Sequence, residues 1–461
     1  MTKQNLNNTL IMVLTVLTLF CGCRKDFLDA KPSSDIVIPS SLGDFQQLMD
    51  NSLVCKVPAL PILSCDDYYI LSEADWSSLF TSTERESYIW SKDVYGGEVA
   101  RQDWILPYTG IFYTNSVING LANIPITEKN RAAYNYIKGQ AYFARAFTYF
   151  ELAKSFAHPY DIGTASTELG VPLKLSPDID EIKQRATLSE TYQQILEDLN
   201  KATVLLPSVI TASRNRGNKP AAYALFARIY LSMRQYEKAE VYADSCLGIY
   251  NKLIDYNSVS KTATNPFTNT NDETMFWATH VSFYGLASYN STANTNVDST
   301  LIRSYAADDL RRSLYFIANG SNLKFKRGYS ANANSFAGLA TDEMYLIKAE
   351  CLARRNEYQA AMVSLNNLLI KRFTTGKFIP YTASSQAEAL NKILTERRKE
   401  LVWRGSMRWD DLRRLNQEGA SINLTRRLGN NTYTLSPNSL RYTFPIPSDE
   451  IALSGIEQNI R

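Results

Sequence analysis

Two polar-aromatic stretches of the sequence, at about residues 52–95 and 251–340, hold the side chains whose chemistry suggests ligand binding. Aromatic rings stack on the apolar face of a sugar ring, while Asn, Asp and Arg side chains hydrogen-bond its hydroxyl groups. Both stretches combine these residue types, so they predict a carbohydrate-binding surface. The candidate ligand-binding residues are Asp66, Asp67, Tyr68, Trp76, Phe283, Tyr284, Tyr289 and Asn290.

Some of these residues have a second interpretation. Asp66 and Asp67 could bind sugar hydroxyls, or they could cap the segment that begins at Tyr68. About half of the aromatic residues could pack against the scaffold instead of a ligand. Trp277 is the first of these, because "ETMFWAT" is typical of a strand or a buried segment. The sequence leaves both questions open.

A catalytic or metal site needs a set of reactive residues, and the sequence offers only isolated ones. The two histidines, His158 and His280, show no metal-ligand spacing such as H-x-x-x-H. Asp410 and Asp411 are adjacent, so on a helix they point about 100° apart and cannot act as a paired acid and base. The sequence also lacks a glycine-rich phosphate loop. We therefore predict no enzymatic activity, no metal and no cofactor.

Three segments with one helical spacing predict the scaffold that positions these stretches. In "YFARAFTY", "YALFARIY" and "YLIKAECL" a Tyr is followed by Ala four residues later and by Tyr or Leu seven residues later. Offsets of four and seven lie on one face of a helix. The second and third segments continue alike, with Tyr236 and Tyr358 followed by Ala239 and Ala361. This spacing is typical of tetratricopeptide repeats, in which two helices pack through small residues.

We therefore predict a mostly all-α fold, a tetratricopeptide-like scaffold of helical hairpins with long irregular insertions. The tetratricopeptide-like helices should lie at about 100–250 and 341–416, with the insertions at about 52–95 and 251–340. Insertions that project from such a scaffold commonly carry the binding site. A protein-interaction scaffold that uses its concave helical face is the alternative.

Three further helical segments complete this scaffold. One begins at Trp104, one spans residues 187–207, and a final pair spans residues 387–416. In the final pair the periodicity directs Trp409 and Leu412 toward the core. It also predicts ion pairs on the helix surface, made by Arg408, Asp411 and Arg413.

The first 22 residues have the features of a lipoprotein signal peptide. Lys3 is the only basic residue before an uncharged run from Leu10 to Phe20, which is too short to span a bilayer. A charged start, a short apolar middle and a small residue before the cut site define a secretory signal. We therefore predict a lipid anchor on Cys23, which becomes the new N-terminus, and a single domain over residues 23–461.

Charge and cysteine content limit the other classes of partner. The 49 basic and 46 acidic residues leave a net charge of +3, which gives no electrostatic reason to expect nucleic acid. No later segment is apolar enough for a membrane span, so the lipid would be the only anchor. Cys55 and Cys65 lie in a loop-like stretch, and the sequence does not decide whether they form a disulfide.

Five segments resemble, in the expected order, the SusD/RagB family of Bacteroidetes surface lipoproteins. "CRKDFLDAKPSSDIVIPSSLGDFQQLMDN" is similar to the mature start of the family, and "WILPYTGIFYTNSVI" is similar to its first helix. "GQAYFARAFTYFELAKSFAHPYD" resembles the long helix that follows, and "YTFPIPSDEI" resembles the closing segment. The most specific match is "ILTERRKELVWRGSMRWDDLRR". The chain departs from the family pattern at His158, where Gly is usual, and at Arg404, where Glu is usual.

The resemblance implies a nutrient-binding protein of the outer membrane and not an enzyme. It implies a surface-exposed lipoprotein, seated on a SusC-like TonB-dependent transporter, that captures an oligosaccharide for import. In some members of the family the nutrient is of another kind, such as a peptide. The identity of the ligand does not follow from the sequence.

Overall fold

Helices make up most of the regular structure in the computed structural model of the chain, which confirms the mostly helical fold predicted from the sequence. The structure describes residues 39–98, 102–288 and 295–461. Of the predicted functional residues, Cys23, Tyr289 and Asn290 lie outside these ranges. Ser41–Arg461 forms one compact unit.

The sixteen α-helices of the described residues divide into nine long ones, which form the scaffold, and seven short ones in the connections. In chain order they are α1 (Leu42–Met49), α2 (Leu60–Ser64), α3 (Glu73–Ser77), α4 (Ser82–Tyr88), α5 (Gln102–Leu121), α6 (Arg131–Phe156), α7 (Leu188–Leu205), α8 (Lys219–Ser232), α9 (Tyr236–Ile249), α10 (Ser299–Ser304), α11 (Arg311–Tyr315), α12 (Thr341–Arg354), α13 (Tyr358–Leu369), α14 (Gln386–Glu400), α15 (Met407–Gln417) and α16 (Ser448–Ser454).

Ten short strands lie between these helices, and within the described ranges they pair only two by two. Each pair is antiparallel: β1 with β5, β2 with β3, β4 with β8, β6 with β7 and β9 with β10. Because no described sheet is wider than two strands, the helices supply most of the core. The strands are β1 (Tyr68–Ile70), β2 (Leu169–Pro172), β3 (Arg185–Thr187), β4 (Thr274–Phe276), β5 (Thr295–Val297), β6 (Phe316–Asn319), β7 (Asn322–Phe325), β8 (Leu339–Ala340), β9 (Leu424–Leu428) and β10 (Asn431–Leu435).

The two clean repeats form the hairpins α8–α9 and α12–α13, as their spacing predicts. The chain turns between the paired helices at Arg234 and Asn356, whose φ angles are 59° and 69°. Small side chains let the helices of each hairpin approach closely. The alanines that the spacing assigned to these contacts are fully buried, namely Ala227, Ala239, Ala243, Ala349 and Ala361.

We expect Ala349→Phe to lower the free energy of unfolding by about 1–3 kcal/mol, because the ring would overpack the closed interface of the α12–α13 hairpin. Urea unfolding followed by circular dichroism measures the change. Val363→Phe is a matched control on the same hairpin, since Val363 is 61% exposed. The control should stay within about 0.5 kcal/mol of the wild type. Equal midpoints for both variants would contradict the packing described here.

The third repeat-like segment lies in α6, and its partner helix α7 follows only after the β2–β3 hairpin. Thr187 begins α7 with a capping box that it shares with Glu190. A buried ion pair joins the two helices: Arg145 donates to the two carboxylate oxygens of Asp198 at 2.7 and 2.8 Å. The helix predicted over residues 187–207 is thereby confirmed.

The last two long helices, α14 and α15, are buried on more sides than the sequence suggested. Trp409 and Leu412 face the core as predicted. Asp411 and Arg413 are buried as well, so the prediction of surface ion pairs for them was wrong. Asp411 accepts from Arg397 at 2.9 Å, across to α14, and Arg413 donates to backbone carbonyls of α6 and its C-cap. The packing of α15 against these elements removes its polar face from solvent.

The structure settles the open question about the cysteines. Cys55 and Cys65 are both buried and free, so they do not form a disulfide. Burial raises the pKa of both thiols. As for membrane insertion, no helix in the described part of the chain combines the length and the apolar character that a span requires.

Candidate functional site

The two insertions meet in one surface, which we call the insertion face and define by residues 66–98, 283–288 and 295–298. Strand β1 pairs with β5, which brings Tyr68 opposite Val297. The backbone N–H of Asp298 donates to the carbonyl of Asp67 at 2.9 Å. The 283–288 loop joins this surface through Leu286, whose backbone N–H donates to Glu84 Oε1 at 2.6 Å. Segments about 200 residues apart are thus held together.

Asp66 ties the insertion face to the C-terminal helices. Arg408 on α15 donates to both of its oxygens at 2.6 and 2.8 Å, and Arg398 on α14 donates to it at 3.2 Å. Burial alone would raise the pKa of Asp66, but the two guanidinium groups hold it well below its ordinary value. The sequence predicted an ion pair for Arg408 on the surface of its own helix, but Arg408 instead binds Asp66, from a distant part of the chain. The Asp66 carboxylate is thus already paired with two arginines.

Asp67 and Tyr68 lie in the core beneath the face. Asp67 is 1% exposed, and its Oδ2 accepts from the backbone N–H of Trp403 at 3.2 Å. Burial raises the pKa of this carboxyl. The Tyr68 hydroxyl donates to the carbonyl of Leu63 at 2.5 Å, and its ring packs edge-on against Trp403. Both side chains are enclosed by the protein, which corrects the expectation that they are available to a ligand.

Tyr284 is the other predicted residue that the fold encloses. It is 2% exposed, and its hydroxyl donates to Asp103 Oδ2 at 2.6 Å. The second oxygen of Asp103 accepts the backbone N–H of Ala59 at 2.5 Å. Tyr284 therefore belongs to a buried polar contact that joins its loop to the start of α5, and neither face of its ring is open for stacking.

Four aromatic rings of the insertion face are exposed or half-buried, namely Tyr69, Trp76, Phe80 and Phe283. Phe283 is 46% exposed, and Trp76 is half-buried, with its indole N–H donating to the carbonyl of Arg85 at 3.0 Å. Phe80, which sequence reasoning did not single out, is 86% exposed. Its position between the short helices α3 and α4, outside any helical period, is the signal that could have found it. These rings are the ones on the insertion face whose surface is accessible for stacking.

The loops that carry Phe80 and Phe283 share one support. Glu84 accepts hydrogen bonds from both the backbone and the hydroxyl of Thr81, next to Phe80, and with its other oxygen it holds Leu286, three residues from Phe283. Glu98 accepts the first free backbone N–H groups of α4 at 2.8 and 3.2 Å. Glu84, which is buried, therefore holds the backbones of both loops, and Glu98 holds the start of α4, which favours a preformed binding surface.

A second concave feature, which we call the α5 cleft, lies between α5, the 172–183 connection and α16. Its volume is about 540 Å³. Its walls combine aliphatic side chains, of which Ile179, Ile182 and Leu453 are each more than 60% exposed, with three aromatic ones, Trp104, Tyr108 and Phe112. Its rim is mostly acidic, with Asp178, Asp180, Glu181 and Glu450 set against Lys174 and Lys183.

A group of three buried carboxylates lies deeper, at Glu273, Asp342 and Glu400. Arg372 donates to Glu273 at 2.8 Å and to Glu400 at 2.7 Å, and Arg404 binds Asp342. These guanidinium groups already neutralise the cluster, which disfavours a metal ion there. The group therefore acts as part of the core, and the Arg404–Asp342 pair explains how the core accommodates an arginine where the family resemblance leads one to expect Glu.

The two histidines lie apart from each other and from the insertion face. His280 is fully buried, and burial lowers its pKa to about 3, so it stays neutral over the physiological range. His158 lies 4.0 Å from Glu168 in the connection after α6, and burial lowers its pKa as well. Neither contacts Asp410 or Asp411, so these four residues do not assemble into a catalytic set.

Comparison with known proteins agrees with this architecture. A family model described as "Starch-binding associating with outer membrane", of SusD-like type, matches residues 26–231, and the SusD family model matches residues 254–460. The two models cover nearly the whole chain between them. The chain belongs to the SusD family, whose members bind carbohydrate and associate with the outer membrane.

Individual relatives share the fold over most of their length. SusD-like protein P2 of Formosa agariphila is 24% identical in an alignment of 416 positions, and the match covers 76% of this chain and 77% of that protein. The crystal structure of a putative sugar binding protein from Bacteroides vulgatus superposes with a TM-score of 0.72 at 21% identity, over 92% and 99% of the two chains. A laminarin binding SusD-like protein superposes with a TM-score of 0.61 at 17% identity, over 90% and 97%.

Proposed function

We propose that this chain is a nutrient-binding protein that captures an oligosaccharide on its insertion face and passes it, uncleaved, to a SusC-like TonB-dependent transporter of the outer membrane. The observation that carries the proposal is the set of open rings at Trp76, Phe80 and Phe283, on loops outside the helical repeats. Flat apolar faces of this kind stack on sugar rings. Tyr289 and Asn290 stay in the proposed set because the 283–288 loop leads directly to them.

The lipid anchor is part of this proposal. A diacylglycerol thioether on Cys23 would tether the chain to the outer membrane, with the insertion face free at the cell surface to meet a glycan. Cys23→Ala should release the protein from the membrane fraction, and metabolic labelling with palmitate should then give no labelled protein. Continued labelling of this variant would contradict the anchor. Co-purification of a TonB-dependent transporter from solubilised membranes tests the partner.

We expect Phe80→Ala and Phe283→Ala each to weaken oligosaccharide binding about tenfold, because each ring would contribute roughly 0.5–1.5 kcal/mol beyond the area that it buries. The wild type should bind in the micromolar to millimolar range, which suits capture and release. A glycan array that includes laminarin fragments would identify the ligand, and calorimetric titration would give the affinities. Unfolding temperatures should not change, since both rings are exposed.

Ile162→Ala is the matched control for these variants, because Ile162 is 79% exposed but lies in the connection after α6. It should leave binding unchanged. Retention of no glycan on the array, or affinities that neither phenylalanine variant alters, would contradict the proposed site. A bound oligosaccharide that is recovered cleaved would contradict the proposed role as a binder.

The α5 cleft favours a second candidate, the binding of a peptide. Its exposed Ile179, Ile182 and Leu453 suit Leu or Ile side chains, and its acidic rim complements Lys or Arg. To distinguish peptide from oligosaccharide, a peptide that contains both Leu and Lys residues is titrated into the wild type and into the Ile182→Ser variant. Binding that this variant weakens, together with a blank glycan array, would favour peptide over oligosaccharide.

A further inference from the structure

A third concave site, which we call the Trp277 cleft, lies between residues 49–56, 212–215 and 269–279. Its volume is about 240 Å³. It lies beside β4 and shares no lining residue with the insertion face. Clefts that hold drug-sized ligands measure roughly 300–1,000 Å³, so this one would hold a single ring or a group of that size.

Two cations line the Trp277 cleft without a carboxylate partner in the described part of the chain. Lys56 donates only to the hydroxyl of Thr279, at 3.2 Å. Arg214 reaches the carbonyl of Thr270 at 3.4 Å, and its Nε is buried with no hydrogen-bond partner. Neither residue takes part in any ion pair found among the described residues. The cleft therefore has two positive charges that are not paired with any carboxylate in residues 39–98, 102–288 and 295–461.

The one carboxylate that lines the cleft is already engaged. Arg216 donates to both oxygens of Asp50, at 2.8 and 2.6 Å. Burial lowers the pKa of Lys56, which shows that its ammonium group is partly desolvated without a compensating anion. A partly buried cation of this kind is stabilised when an anion binds beside it.

Trp277 forms one wall and is held in place at two points. Its backbone N–H donates to the carbonyl of Arg214 at 2.7 Å, and its indole N–H donates to the carbonyl of Ser330 at 3.2 Å. The fixed ring leaves part of its surface exposed to the cleft. The amide side chains of Asn215 and Asn269 also line the cleft, and amides suit hydroxyl groups.

We propose that the Trp277 cleft binds a single sugar ring that carries an acidic group, a carboxylate or a sulfate. The acidic group would lie against Lys56 and Arg214, the ring against Trp277, and the hydroxyls against the amides. The Trp277 cleft does not depend on the insertion face. The protein can bind a neutral glycan on the insertion face and an acidic sugar in the Trp277 cleft.

The test is a titration of the mature protein with four probes at low salt, in which saturation-transfer NMR follows the three sugars and displacement of the sulfated sugar measures the proton-free sulfate ion. The probes are methyl galacturonide, methyl galactoside 6-sulfate, neutral methyl galactoside and inorganic sulfate. We expect at least one acidic sugar to bind about tenfold more tightly than the neutral sugar, as charge-assisted hydrogen bonds require. The relative affinities of the two acidic sugars identify the acidic group. Lys56→Gln should remove the preference and Lys56→Arg should keep it.

Lys129→Gln is the control, because Lys129 is exposed in a distant loop, and it should leave the titration unchanged. Arg214→Gln gives a second, independent loss if Lys56→Gln does not fold. Phe80→Ala should not affect this titration, which separates the site from the insertion face. Equal affinity for acidic and neutral sugars, a preference that survives Lys56→Gln in a folded protein, or inorganic sulfate binding as tightly as the sulfated sugar would each overturn the proposal.

Discussion

Arg372→Met is expected to lower the free energy of unfolding by about 3–5 kcal/mol, since it would break a buried ion-pair network, leaving Glu273 without its guanidinium partner and Glu400 with Arg311 alone. Arg372 is fully buried, donates to Glu273 at 2.8 and 2.9 Å and to Glu400 at 2.7 Å, and stacks over the ring of Tyr256 at 4.0 Å. Methionine fills much of the space but supplies none of these donors.

Urea unfolding at pH 7 measures this loss, and Arg355→Met is its control. Arg355 pairs with Glu240 at 3.0 Å on the surface, where such pairs contribute about 0–1 kcal/mol. A loss at Arg372 no greater than at Arg355 would show that the network does not stabilise the fold.

The pH dependence gives an independent check on the same contacts. Burial alone would raise the pKa of Glu400, but Arg372 and Arg311 outweigh it and lower this pKa below its ordinary value. A carboxylate with a lowered pKa stabilises the fold above its unfolded-state pKa, and this contribution is lost as the pH falls through the folded-state value. The free energies of unfolding of the wild type and of Arg372→Met should therefore become more similar as the pH falls below about 4.

Trp409→Ala is expected to lower the free energy of unfolding by about 3–5 kcal/mol, the usual cost of a large cavity in a core. Trp409 is 1% exposed, its indole N–H donates to the carbonyl of Tyr442 at 3.1 Å, and its ring lies against Tyr442 and Phe444. Removing the ring would detach the segment after β10 from α15.

Thermal and urea unfolding of Trp409→Ala measure this loss, with Trp76→Ala as the comparison. Trp76 belongs to the half-open insertion face, so its removal should cost much less stability. If the two substitutions cost the same, the distinction between core and face rings is wrong.

The scaffold could be predicted from the sequence because its signal is local. Tyr236 and Ala239, and likewise Tyr358 and Ala361, record the helical period within a few residues. The hairpins depend on that period alone. The helix bounds differ from the prediction by only a few residues for α7, where Pro207 and the Thr187 cap mark the ends.

For the insertion face, the sequence predicted the residue types but not which of the side chains are exposed. Tyr68 and Phe283 were both predicted to bind the ligand, yet one is buried and the other is 46% exposed. The difference depends on distant residues: Tyr68 is covered by Trp403, and neighbouring Asp66 is held by Arg408 from a helix more than 300 residues away. Local patterns contain no record of such contacts, so sequence reasoning placed core and surface rings in one set.

The fixed loops of the insertion face have a kinetic consequence. Hydrogen bonds of Glu84, Glu98 and Asp66 fix the positions of the loops before any ligand binds. Little side-chain and loop entropy then remains to be lost when a ligand binds. Stopped-flow mixing should show one exponential phase whose rate rises linearly with ligand concentration, without a plateau from a slow rearrangement. Hand-over would then depend on how fast the ligand dissociates, so a weak but quickly reversible surface would feed a transporter faster than a tight one.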